Sequence, residues 1–228
     1  MYWRTCGPDL GDDRGKIVLA TIIISGSAKW LLKVGGNKEK WYGSGRIFMY
    51  VMTVFGAMTV NYSEQCTEYG WVVSNFRLLA GCLLAGGLLS AAYMDRRNCW
   101  VYNYVWWWCL PWAGILGLTA GGGFHGIVAV LVFVMLQQLL FSRMYGKADC
   151  HAFSVCALAE CGNAVGMVGF LLQMFLSVVL LTIVQLFRGN VTPRGRLREP
   201  QPFIPYIITA FFSVTFLESV FRTTYIYA

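Results

Sequence analysis

The sequence predicts an all-α membrane protein, a polytopic bundle of about seven to eight transmembrane helices. Of its 228 residues, 57% are hydrophobic and only 13% are charged, whereas a soluble domain of this size needs a more charged surface. Apolar runs close to the ~20 residues that cross a bilayer as a helix recur along the chain. The alternating pattern of a membrane β-barrel does not accompany them.

Seven apolar segments predict membrane helices, in the order 46–62, 76–94, 100–120, 124–142, 150–164, 165–187 and 203–221. An eighth segment, 17–34, contains Lys29 and Lys33, so it either adds a span or lies at the membrane interface. We therefore predict an N-terminal segment, 1–45, with a possible extra membrane helix. One membrane-embedded domain, 46–228, follows it, and no separate soluble module is expected.

Basic residues predict the orientation of these spans. They cluster in three connections that fall on one side of the membrane if 150–187 forms a hairpin: Arg96 and Arg97, then Arg143 and Lys147, then Arg188, Arg194, Arg196 and Arg198. Because short basic loops stay in the cytoplasm, we predict that this side is cytoplasmic. The same loops explain the net charge of +7, and no basic face of a soluble domain indicates nucleic-acid binding.

The cysteine and N-terminal patterns do not predict a metal site or a signal peptide. Eight cysteines are scattered through or beside apolar runs without a C-x-x-C pair, and buried thiols pack as small apolar side chains. The spacing of Cys156 and Cys161 is not that of structural zinc. Acidic Asp9, Asp12 and Asp13 take the place of a basic n-region. We predict that the protein uses no cofactor.

Four acidic residues lie within or next to apolar spans: Asp95, Asp149, Glu160 and Glu218. An ionisable group there is costly, so it marks a functional site by default. Glu218 has Arg222 one helical turn later, which predicts a surface ion pair. Glu160 lies near the outer end of its span, where we expect water to reach it.

Asp95 and Asp149 both fall at predicted cytoplasmic helix ends. They form either two separate ion pairs, with Arg96 or Arg97 and with Lys147, or a single site. Two adjacent carboxylates share one proton and titrate together. The ionised acid then activates a water and the protonated acid polarises a peptide carbonyl. The helix ends favour Asp149 as the base and Asp95 as the acid.

Three segments resemble signatures of the type IV prepilin peptidases. In "YMDRRNCWVYN", the first signature is matched by Asp95, Arg96, Arg97, Val101 and Asn103, with Tyr102 where proline is usual. "GKAD" resembles the second signature, G-x-G-D, through Gly146, Lys147, Ala148 and Asp149. "QPFIPYIITA", 201–210, is similar to the late "PFxP" segment that opens the last helix.

The resemblance covers about residues 76–221, roughly two thirds of the chain. It implies a membrane aspartic endopeptidase with Asp95 and Asp149 as its catalytic pair. Such enzymes cleave leader peptides from prepilins and pseudopilins at the cytoplasmic membrane face. Ala148 and His151 depart from the usual pattern, and the large cytoplasmic loop with paired cysteines is missing. The chain therefore resembles the short, cleavage-only type that serves tight-adherence pili.

Two other classes of function remain open. One is a non-enzymatic membrane protein, such as a transporter, an assembly factor or an inactive homologue, for which Gln137, Gln138 and Gln173 are polar candidates near the midplane. The other is a presenilin-like intramembrane protease, which also uses G-x-G-D. Cys150 and His151 do not predict a thiol peptidase, because adjacent residues on a helix point in different directions.

Overall fold

The computed structural model describes residues 10–34, 71–119, 124–161, 166–187 and 201–227, and every regular element in these ranges is helical. The helices are α1 (Leu10–Val34), α2 (Trp71–Asn98), α3 (Asn103–Thr119), α4 (Phe124–Leu139), α5 (Lys147–Ala159), α6 (Gly166–Phe187) and α7 (Ile204–Tyr227). A short 3-10 turn, Phe141–Arg143, lies between α4 and α5. The predicted all-α class is confirmed.

Within the described ranges, three helical segments are long and apolar enough to cross a membrane: Phe76–Asn98, Phe124–Arg143 and Met167–Phe187. The first lies at the centre of the bundle, since 83% of its most apolar 18-residue stretch is buried, against 17% and 28% for the corresponding stretches of the other two. The outer helices expose large apolar side chains such as Leu131 and Phe175. Exposed apolar surface on this scale suits contact with lipid. The membrane character is supported, while the number of seven or eight spans stays a prediction.

The described helices match most of the predicted spans, and α5 is the main exception. The predicted span 150–164 is a helix from Lys147 to Ala159, and Glu160 already has non-helical dihedral angles. At 1.5 Å per residue, its 13 residues extend about 20 Å, short of the ~30 Å hydrocarbon core. The predicted span 46–62 lies outside the described residues.

Helix α1 packs against α2 through small side chains. Its buried residues recur every three or four positions: Ala20, Ile24, Ala28 and Leu31. A Cβ at Gly86 of α2 would lie 2.8 Å from the Ile24 carbonyl oxygen and collide with the Ser27 side chain. The glycine in α2 therefore permits a close approach of the two helices. Lys29 and Lys33 are exposed and do not interrupt the helix.

Several helix ends meet at one end of the bundle. The N–H of Ile204, which begins α7, donates to a carboxylate oxygen of Asp95 near the end of α2. Asp149 near the start of α5 interacts electrostatically with Asp95. Gln185, close to the end of α6, donates to Gln201 over 3.1 Å. We call this region, defined by Asp95, Asp149 and Ile204, the aspartate end.

Candidate active site

Asp95 is held at the aspartate end by the first turn of a distant helix. Its side chain is 7% exposed, and its Oδ2 accepts a hydrogen bond of 2.9 Å from the backbone N–H of Ile204. The first N–H groups of a helix have no partner within that helix. The carboxylate therefore caps α7, and the positive end of the α7 dipole stabilises its ionised form.

Asp149 caps its own helix. It lies in the first turn of α5, and its Oδ2 accepts a hydrogen bond of 3.1 Å from the N–H of Gly146. Gly146 has φ −66° and ψ 152°, which any residue adopts, so the backbone here does not require a glycine. A Cβ at this position would lie 3.1 Å from the Asp149 oxygen. The glycine leaves room for the carboxylate.

The two carboxyl groups interact. Burial raises the pKa of Asp149 to about 7, the charge of Asp95 acts in the same direction, and the N–H of Gly146 opposes both. Acids coupled in this way hold a shared proton and titrate as a pair. The two acids are thus close enough to interact electrostatically, as a single site requires.

The structure adds a contact to Asp95 that bears on the roles of the two acids. The ends of their own helices predicted Asp149 as the base and Asp95 as the acid. In the structure, the N-terminus of α7 supports the charge on Asp95 through Ile204, and the N–H of Gly146 supports that on Asp149. The added contact with α7 is compatible with Asp95 as the base, the order adopted in the proposed reaction. The earlier assignment left out α7, which is remote in sequence but close in space.

The remaining signature residues differ in their exposure. Arg96, Arg97 and Lys147 are exposed at the aspartate end, and Asn103 is exposed at the start of α3. Ala148, which takes the place of the second glycine, is half-buried and packs against the core. Its methyl group is therefore accommodated within α5.

Three aromatic residues near the acids were not predicted from the sequence. The ring of Tyr145 stacks on that of Phe203, with centroids 5.5 Å apart and planes 21° apart. Phe153 contacts both rings, each at 6.0 Å. The "QPFIP" segment directed attention to Phe203, whereas the only signal for Tyr145 was its position before Gly146.

Glu160 lies in a different environment from the one predicted. We expected water to reach it, but it is 4% exposed, and its Oε1 accepts a hydrogen bond of 2.9 Å from the Thr215 hydroxyl. Because α5 ends inside the bundle, its last turn packs against α7. Glu218 interacts electrostatically with Glu160. The predicted Glu218–Arg222 pair involves a side chain outside the described residues.

The other polar candidates are dispersed. His151 is half-buried beside Trp106, with ring centroids 6.2 Å apart, and Cys150 is fully buried. Gln137 and Gln173 are buried in the core, whereas Gln138 is exposed. Within the part of the chain that the structure describes, no three His, Cys, Asp or Glu side chains group as metal ligands.

A scan against protein-family models and searches of curated proteins and of solved structures find no match to this chain. The functional assignment therefore depends on the residues of the aspartate end and on their geometry.

Proposed function

We propose that the protein is a membrane aspartic endopeptidase of the prepilin peptidase type. It removes the leader peptide from prepilins or pseudopilins at the cytoplasmic membrane face. The observation that carries this proposal is the convergence of Asp95 and Asp149 from distant parts of the chain, each held by a backbone N–H and coupled to the other through charge. They are the two acids that the resemblance marks as catalytic.

The proposed reaction needs only these two acids and a water. The ionised Asp95 takes a proton from the water, whose oxygen attacks the scissile carbonyl carbon. Asp149 donates its proton to the carbonyl oxygen as the tetrahedral intermediate forms. When the intermediate collapses, its hydroxyl proton returns to Asp149 and the C–N bond breaks. The proton on Asp95 passes to the leaving amine nitrogen, which restores the pair.

The surroundings of the pair support a site at the cytoplasmic boundary. Arg96, Arg97 and Lys147 are exposed at the aspartate end, and basic residues of this kind are retained on the cytoplasmic side. The outward apolar faces of α4 and α6 suit lipid on the flanks of the bundle. An extended leader that enters from the cytoplasm reaches the acids without crossing the hydrocarbon core.

The experiment is cleavage of a prepilin encoded near this chain's gene, with both proteins in proteoliposomes and the new N-terminus identified by mass spectrometry. Asp95→Asn and Asp149→Asn should each lower the cleavage rate by about 10²–10⁴-fold, the usual contribution of a general acid or base. Each asparagine retains an oxygen that accepts the backbone hydrogen bond, so both variants should fold. Glu160→Gln is the matched control.

Three outcomes would overturn the proposal. One is an intact prepilin in the presence of the wild-type protein. The second is cleavage within the apolar helix of the substrate, which would indicate a presenilin-like protease. The third is normal cleavage by a correctly inserted Asp95→Asn or Asp149→Asn variant.

A further inference from the structure

We propose that the stacked rings of Tyr145 and Phe203 are a positioning device that sets the separation of the two carboxylates. The rings join the two short segments whose N–H groups bond to Asp149 and Asp95. A role of this contact in catalysis rests on the proposed function, whereas the contact itself can be measured without a substrate.

The two carboxylates are held in equivalent ways. Asp149 accepts a hydrogen bond from the N–H of Gly146, the residue that directly follows Tyr145. Asp95 accepts one from the N–H of Ile204, the residue that directly follows Phe203. Each aromatic residue therefore precedes the backbone group that fixes one acid. Contact between the two rings therefore joins the two segments that hold the acids, one residue away from each N–H donor.

The contact between the rings is well defined. Tyr145 and Phe203 are nearly parallel, at 21°, with their centroids 5.5 Å apart. Phe153, which is 1% exposed, packs at 59° against Tyr145 and at 68° against Phe203. Offset-stacked and edge-to-face arrangements are the preferred geometries of aromatic pairs. The buried Phe153 thus limits sliding of the stacked rings.

Backbone hydrogen bonds hold the main chain that carries each ring. The N–H of Tyr145 donates to the carbonyl oxygen of Phe141 over 2.8 Å, in the turn that precedes α5. The carbonyl oxygen of Phe203 accepts from Tyr206 and Ile207 in the first turn of α7, at 3.0 and 3.3 Å. A shift of one ring relative to the other therefore moves one carboxylate relative to the other. This makes Tyr145 and Phe203 positioning residues.

The experiment follows the titration of the Asp149 carboxyl by infrared difference spectroscopy of the whole protein, with Asp149→Asn to assign the band. Tyr145→Leu and Phe203→Leu should each move the titration down by about one pH unit, since separated acids interact less and are better hydrated. Tyr145→Phe should leave it unchanged, because the ring carries the contact. Phe133→Leu, which removes a ring paired with Phe170 at 5.2 Å elsewhere in the core, is the control.

The double variant Tyr145→Leu/Phe203→Leu decides whether the rings act together. If the rings act as one device, the titration shift of the double variant equals that of either single variant. If they act independently, the two single shifts add. Additive shifts, an unmoved titration in either leucine variant, or a shift in Tyr145→Phe would each overturn the inference.

In cleavage assays, the leucine variants should lower kcat with little change in KM and move the basic limb of the pH profile. A normal titration response with no cleavage by any form would reject the proposed function alone.

Discussion

The Glu160 carboxyl and the Thr215 hydroxyl form a hydrogen-bonded pair of 2.9 Å between α5 and α7, and the same hydroxyl contacts the carbonyl oxygen of Phe211 at 2.9 Å. A threonine hydroxyl has one proton to donate. The hydroxyl donates either to the Glu160 Oε1 or to the Phe211 carbonyl oxygen. An uncharged glutamic acid avoids the cost of a buried carboxylate.

Glu160→Gln should therefore be nearly neutral, since its amide oxygen accepts from Thr215 in the same way. Glu160→Ala should lower the free energy of unfolding by about 1–3 kcal/mol, because it removes the side-chain hydrogen bond that joins α5 to α7. Thermal unfolding in detergent measures both changes, and the glutamine variant should retain cleavage activity. Equal destabilisation by the two substitutions would show that the hydrogen bond has no part in stability.

The proton on Asp149 predicts an upper pH limit for cleavage. Burial and the neighbouring Asp95 raise the pKa of Asp149 to about 7, and the proposed reaction requires the protonated form. As the pH rises through this value the protonated fraction falls, so kcat/KM should decline by about tenfold per unit at higher pH. The rate of prepilin cleavage between pH 5 and 9 measures this limb. A rate that still rises above about pH 8 would exclude Asp149 as the acid.

Gly146→Ala tests the space beside Asp149. The new Cβ would lie 3.1 Å from the carboxylate oxygen, so the carboxylate must move by a few tenths of an ångström. We expect cleavage to fall by about twofold to tenfold, since small displacements of a catalytic group are costly. Gly114→Ala in α3, where no atom lies within 4 Å of the new Cβ, is the control. Equal activities of the two variants would show that the contact is unimportant.

Chelators and thiol reagents should leave cleavage largely intact. Water activation by two carboxylates needs neither a metal nor a thiolate. Cys150, next to Asp149, is fully buried, which protects it from alkylation. Cleavage assays after treatment with EDTA or N-ethylmaleimide test this. Complete loss with EDTA that added zinc restores would require a metal mechanism instead.

Gly86→Val should destabilise the protein through the α1–α2 contact. Its side chain would meet the Ile24 carbonyl oxygen and the Ser27 side chain, and overpacking of this kind costs about 1–3 kcal/mol. Gly26→Ala in α1 is the matched control, because nothing lies within 4 Å of its Cβ and alanine favours a helix. Thermal unfolding should give a lower midpoint for the first and an equal or higher one for the second. A midpoint for Gly86→Val at or above that of the wild type would show that the close approach has no cost.

Apolar runs were enough to predict the helical class, and charge patterns placed Asp95 and Asp149 on the same predicted side of the membrane without deciding between one site and two ion pairs. A run of apolar residues specifies a helix locally, and basic loops order the helix ends across a membrane. The end of α5 at Ala159 was not predicted, because burial of Glu160 depends on Thr215 in another helix. The contact of Asp95 with α7 was also not predicted, for the same reason. It depends on the N–H of Ile204, which no pattern around Asp95 contains.

The bond between Asp95 and Ile204 also has a consequence for biosynthesis. The ribosome completes both acids well before the last helix emerges, and domains form during synthesis from the N-terminal side. Until α7 inserts, Asp95 lacks the backbone donor that holds it, and the stacking partner of Tyr145 is absent as well. A nascent chain that ends before residue 201 therefore carries both aspartates without an assembled pair. Under the proposed function, this timing keeps the peptidase silent until α7 has joined the bundle.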